Sequence, residues 1–178
     1  MTTLTGGLPQ AFASAGVLGP AGGAKAQTQL LKDLYAMPAE LGSLLSSWEP
    51  PAGTSPRGFM VHIQDAHANP EAQQNISEIL RFLAKKYPDL VIGVEGASGP
   101  LHPEYLQFFR EFPEAGRAVV KDLRQKGELG GAELFAWDQS LEQQRSAQDL
   151  PGRGVEKTKR GNDVIPVRGV ENAELYRE

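Results

Sequence analysis

The sequence predicts an α/β protein: a parallel sheet of βα units with helices on both faces, incomplete at its C-terminal end and preceded by a disordered tail. Three observations carry this. Residues 59–64 (FMVHIQ), 90–95 (LVIGVE) and 164–171 (VIPVRGVE) are short apolar runs of the kind found in strands covered on both sides. Asn69-Pro70-Glu71 between the first two is a strong helix start. A strand, a helix and a strand over that length make a right-handed crossover, which brings both strand ends to one sheet edge.

Residues 1–26 are rich in small and polar residues and read as the disordered tail. Residues 27–56 form a helical extension and loop. Leu30, Leu31, Leu34 and Tyr35 share one helical face, and Pro38 opens a short helix carrying Leu41, Leu44 and Leu45. Residues 57–178 form the α/β domain. Its first helix places Ala72, Ile76, Ile79, Leu80 and Leu83 on one face and ends near Lys85 and Lys86. A Gly/Pro-rich loop follows the second strand. Tyr105, Phe108, Phe109 and Phe112 then form an aromatic, core-packing face. Pro113 opens a helix with Val119, Val120 and Leu123 that closes near Gly127, and residues 130–137 (GGAELFAW) suit another. Residues 139–163 are polar and charged and read as a flexible insert. In the third strand, Pro166 points to an edge position or to the strand's start. Asn172 caps a helix that has barely begun at residue 178, so truncation is expected.

Composition narrows the function classes. The chain has 178 residues and a formal net charge of −4, with both signs interspersed and no basic face, which argues against nucleic acid as a partner. It has no cysteine, which removes disulfides, thiolate metal sites and cysteine nucleophiles. No run suits a membrane span, and residues 1–26 make a poor secretory signal, which leaves the compartment undetermined.

The three strands end in QDAHANP, VEGASGP and VENAELY, and each end delivers a carboxylate. Asp65, His67, Glu95 and Glu171 are the candidate catalytic residues. His67, Glu95 and Glu171 form a ligand set suited to Mn²⁺, Zn²⁺, Fe²⁺ or Co²⁺. A metal held there would activate water for hydrolysis of a small-molecule or peptide substrate, and the same groups can do general acid–base work without it. Glu95 carries most weight, because a carboxylate closing an apolar strand needs a partner or a ligand. Glu171 also suits the start of a helix, and Asn69 is explained by capping. His62 faces away from Asp65 and reads as a structural or partly buried histidine. No glycine-rich nucleotide-binding motif is present.

A His shortly after strand one, a Glu ending strand two and a Gly-(hydrophobic)-Glu ending strand three resemble the superfamily containing TraB/PrgY, Tiki, erythromycin esterase and the haem-binding lipoprotein ChaN. The counterparts here are QDAH with His67, GVEG with Glu95 and GVEN with Glu171. The chain from about residue 37 to 178, apart from the insert, also resembles a group of longer, uncharacterised bacterial proteins. It departs from the superfamily pattern at Asp65, where the esterase and ChaN branches tend to have Glu, and at Gln64, which replaces Gly. The resemblance implies either metal-dependent hydrolysis or haem binding without turnover, two functions on one fold.

Overall fold

The computed structural model describes residues 10–17, 23–49, 51, 54, 58–66, 69–102, 112–148 and 165–171. It is a mixed α/β structure with strands β1 (Gln10–Val17), β2 (Phe59–Ala66), β3 (Leu90–Val94), β4 (Ser98–Pro100) and β5 (Val167–Val170). The helices are α1 (Gly23–Tyr35), α2 (Pro70–Lys86), α3 (Pro113–Gln125) and α4 (Gly131–Gln148).

The α2 helix starts as its sequence dictates. The Asn69 side chain accepts hydrogen bonds from the Glu71 and Ala72 amides at 3.0 and 3.3 Å, and Pro70 occupies the first turn, where no amide is needed. Ile76, Ile79, Leu80 and Leu83 are all buried, as their spacing predicts. They pack with Leu90 and Ile92 of β3, Val167 of β5 and Ala132, Phe135 and Ala136 of α4. Full burial of a leucine such as Leu80 or Leu83 stabilises by about 1.5–3 kcal/mol. A second, smaller cluster gathers Val120, Leu129 and Leu134, with Leu123 and Trp137 against it, and fixes α3 on α4.

Main-chain proximity sets the seam between α2 and α4. A Cβ on Gly131 would lie 2.5 Å from Ile76 Cβ and 2.6 Å from the Gln73 carbonyl oxygen. The Gly131 amide donates to the buried Gln73 side chain at 2.6 Å, and the Gly130 amide donates to Glu133 at 2.9 Å. Two otherwise unpaired amides at the start of α4 are thereby satisfied. Farther along, Arg81 reaches Asp138 at 2.6 Å and Glu78 at 3.4 Å.

The sheet differs from the expected parallel repeat. Its order is β2-β1-β3-β5-β4. β1 lies between β2 and β3, antiparallel to both, and β4 is antiparallel to β5. Only β3 and β5 are parallel neighbours. A long-range pairing therefore overrides the local strand–helix–strand expectation, although β2 and β3 still point the same way. Residues 10–17, read as tail, form the inserted strand, whose small residues give little alternation. The described helices do not cover both faces either. Phe59, Val61 and Ile63 pack toward the core, while Met60, His62, Gln64, Arg168 and Val170 are exposed.

Three further differences are local. Pro38 opens a turn rather than a helix, with the Leu41 amide donating to its carbonyl at 3.0 Å. Residues 139–148, read as the start of the flexible insert, continue α4, because their Gln, Glu, Arg and Leu content favours helix even without an apolar stripe. The loop after β3 contains β4. Of the aromatic face, Phe112 is exposed rather than packed in the core; its residues 105–109, the insert from 149 and the helix expected from 172 lie outside the described residues. Among those described, no helix is long and apolar enough to cross a membrane.

Candidate functional site

The site that the sequence points to lies where β3 and β5 end. Strand β3 is rich in β-branched residues, with Leu90 and Ile92 fully buried. Its partner enters through Ile165 and Pro166. The Gln139 side chain clamps Ile165, accepting from its amide at 3.0 Å and donating to its carbonyl at 3.3 Å. Pro166 lies just before β5 and contributes only a carbonyl, which accepts from the Ile92 amide at 3.0 Å. Position at the strand's start is thus one of the two places its sequence allowed. The register pairs Ile92 with Val167 and Val94 with Gly169.

Beyond Val94 the chain turns at Glu95 and Gly96, crosses the end of β5 and returns as β4 on its far side. Gly96 has φ of 79°, a conformation that costs glycine nothing and other residues strain. The crossing presses so closely on β5 that a Cβ on Gly169 would lie 2.1 Å from the Ala97 carbonyl carbon. The glycine of the GVEN motif is therefore explained by backbone approach.

Glu171 is tied to the same turn twice. Its amide donates to the Ala97 carbonyl at 3.0 Å, and its Oε1 accepts from the Gly96 amide at 2.8 Å. Glu95 is exposed at the beginning of that turn, and Glu171 is half-buried. Two of the four expected site residues are thus brought together. Gly96, which the sequence marks as a glycine serving loop geometry, also donates the amide that holds Glu171. Gln139 was missed, because it sat in a stretch read as insert.

The other two stand differently. Asp65 is the penultimate residue of β2, level with Ala11 of β1, while Val94 is level with Ala13. The ends of β2 and β3 do share a sheet edge, but β1 runs between them. At the ordinary strand spacing this separates their main chains by about 10 Å. The Asp65 side chain and all of His67 lie outside the described residues. Among the described residues, no three His, Asp or Glu side chains gather in a metal-binding group. His62 is exposed on the outward face of β2 rather than partly buried.

No family model, curated protein or solved structure matches this chain. The residues and their placement carry the functional reading.

Two carboxylate networks outside this edge hold helices together. Asp33 is buried and accepts from Lys86 and Tyr87, both at 2.7 Å, and from Gln29 at 3.2 Å. The bond from Lys86, and then that from Tyr87, hold its carboxyl below the usual range; burial and the facing carboxylate push the Tyr87 phenol up. Asp138 shifts the other way: desolvation raises it and Arg81 offsets part of the rise.

Proposed function

We propose that the chain is a metal-assisted hydrolase of the TraB/Tiki/erythromycin esterase-like type, acting on a small-molecule or peptide substrate. Glu95 and Glu171 are its carboxylate ligands. His67 supplies the imidazole and Asp65 assists from the end of β2. The observation that carries the reading is the pair of carboxylates at the ends of adjacent parallel strands, with Glu171 oriented by the Gly96 amide at 2.8 Å. Such an outer hydrogen bond fixes a ligand carboxylate while its remaining lone pairs stay available to a cation.

Donor chemistry also supports it. Two carboxylates and one imidazole suit Mn²⁺, Zn²⁺, Fe²⁺ or Co²⁺. A metal held by these residues would supply an activated water at neutral pH. The protein's own contribution is to hold Glu171 against the turn and to keep Glu95 accessible. The order of the QDAH, GVEG and GVEN motifs adds the family resemblance.

The test is hydrolysis of a panel of p-nitrophenyl esters by the purified chain, before and after chelation, with Mn²⁺, Zn²⁺, Fe²⁺ or Co²⁺ restored in turn. Turnover should vanish on chelation and return with one of the metals. His67→Ala and Glu95→Gln should each lower it by roughly tenfold or more. Metal-independent turnover, or both variants behaving as wild type, would overturn the reading.

A further inference from the structure

A cleft of about 930 Å³ lies between α1, residues 41–48, β2 and α2. Neither Glu95 nor Glu171 lines it. Its size is that of a small-ligand site, roughly 300–1,000 Å³. Three observations describe what it would take.

The first is its position along an edge. β2 is the outermost of the described strands, and every residue from 58 to 64 lines the cleft, the inward-facing Val61 and Ile63 as well as the outward-facing Met60 and Gln64. A cavity reached by both alternating sets runs along the strand's free edge. There backbone amides and carbonyls recur about every 7 Å, with no strand beyond them among the described residues.

The second is wall chemistry. Leu30, Leu34, Ile76 and Ile79 build an apolar floor. The polar groups among the described lining residues are neutral amides and hydroxyls, such as Gln27, Ser43 and Asn75, and the imidazole of His62. Among the described lining residues no Lys, Arg, Asp or Glu is present to pair with a charged ligand group, whereas an amide finds its own kind.

The third is the rim. Leu45, Trp48 and Met60 line the cleft yet are 83, 78 and 74 % exposed. Large apolar side chains ringing a cleft are a mark of a surface that a ligand covers.

We infer that this cleft is a binding site for short, uncharged, apolar peptides or N-acyl peptide amides, held extended along the free edge of β2. Amide groups pair with the strand edge and alternate side chains enter the apolar floor. The inference stands independently of the hydrolase reading.

The probe is dansyl-Val-Leu-Val-amide, uncharged at both ends, titrated into the whole chain. Binding should saturate with blue-shifted dansyl emission. Energy transfer from tryptophan should appear, and Trp48→Phe should reduce that transfer. The analogue N-methylated at its central amide should bind roughly tenfold more weakly, since it loses an edge hydrogen bond. The free acid should also bind more weakly than the amide. Ser43→Lys, at an exposed lining position, should narrow that gap by supplying a cation.

Equal binding of the N-methylated analogue would overturn the edge-pairing geometry. Transfer unchanged in Trp48→Phe, or emission that never saturates, would place the probe elsewhere. A chain that elutes as a dimer and excludes the probe would assign the cleft to a second copy. A Soret shift on adding haem, with the peptide amide unable to compete, would assign it to haem. Each of these outcomes defeats the inference.

Discussion

Helix α2 is packed in two different ways along its length. Toward α4 it meets a seam with no spare volume, where Gly131 sits against Ile76 and the Gln73 carbonyl and a buried amide satisfies the start of the facing helix. Toward α1 and β2 the same Ile76, with Ile79, borders a cleft of about 930 Å³ ringed by exposed apolar side chains. Both sides contribute to one core, so hydrophobicity does not distinguish them. What differs is the closeness of main chain to main chain. The seam stabilises the fold and positions β5 through Gln139, whereas the flank leaves room for a ligand.

The largest effects should follow from intruding on the close contacts. Gly131→Val should destabilise by about 3 kcal/mol or more, read as a fall in denaturation midpoint, because both atoms it meets belong to α2. Leu80→Ala, fully buried, should cost about 3 kcal/mol through its cavity. On the flank, Leu45→Ala should change stability by under ~0.5 kcal/mol. Equal costs for Leu80 and Leu45 would erase the contrast.

A smaller effect sharpens the description of the seam. Ser77 is fully buried, and its hydroxyl has no hydrogen-bond partner among the described residues. Ser77→Ala should therefore stabilise by about 1 kcal/mol in a denaturant titration. Destabilisation would mean that the hydroxyl has a partner.

The smallest effects are in pH dependence, where the two sides should have opposite signs. Asp33, on the α1 side, has a lowered pKa from its bonds with Lys86 and Tyr87. Its contribution is present above the unfolded value near 3.8 and is lost as pH falls through the lower folded value. Asp138, in the seam, has a raised pKa from desolvation. The folded state then holds the proton more tightly, and stability falls as pH rises from about 3.8 through the raised value. Denaturant titrations of Asp33→Asn and Asp138→Asn from pH 3 to 6 should show differences from wild type of opposite slope. Slopes of the same sign would contradict the assignment.

How far these features were legible in the sequence depends on the range of the forces involved. α2 and α3 were legible because the Asn69 cap of α2, the prolines at both helix starts and the apolar spacing act within a few residues. The strand character of β3 and β5 was visible in their apolar runs, as was the arrival of Glu95 and Glu171 at the ends of these two neighbouring strands. The insertion of β1 was not, since Ala and Ser alternate too weakly to announce a strand whose partners lie 42–81 residues away. β4 was hidden in a Gly/Pro-rich loop because it exists only by pairing with β5. Glu171 illustrates the limit within the site. Its place was visible, but its bond to the Gly96 amide arises from the crossing of β5 by the Glu95 turn, a tertiary event.

That bond also provides the most direct test of the proposed metal edge. Glu171→Gln keeps an oxygen to accept from the Gly96 amide and removes only the charge. Calorimetric titration of wild type and variant with Mn²⁺ and Zn²⁺, beside their thermal melts, separates ligation from folding. The account predicts saturable metal binding by the wild type, a loss of roughly tenfold or more in the variant, and unchanged melting. Absence of binding by the wild type, or equal affinity in both proteins, would contradict it.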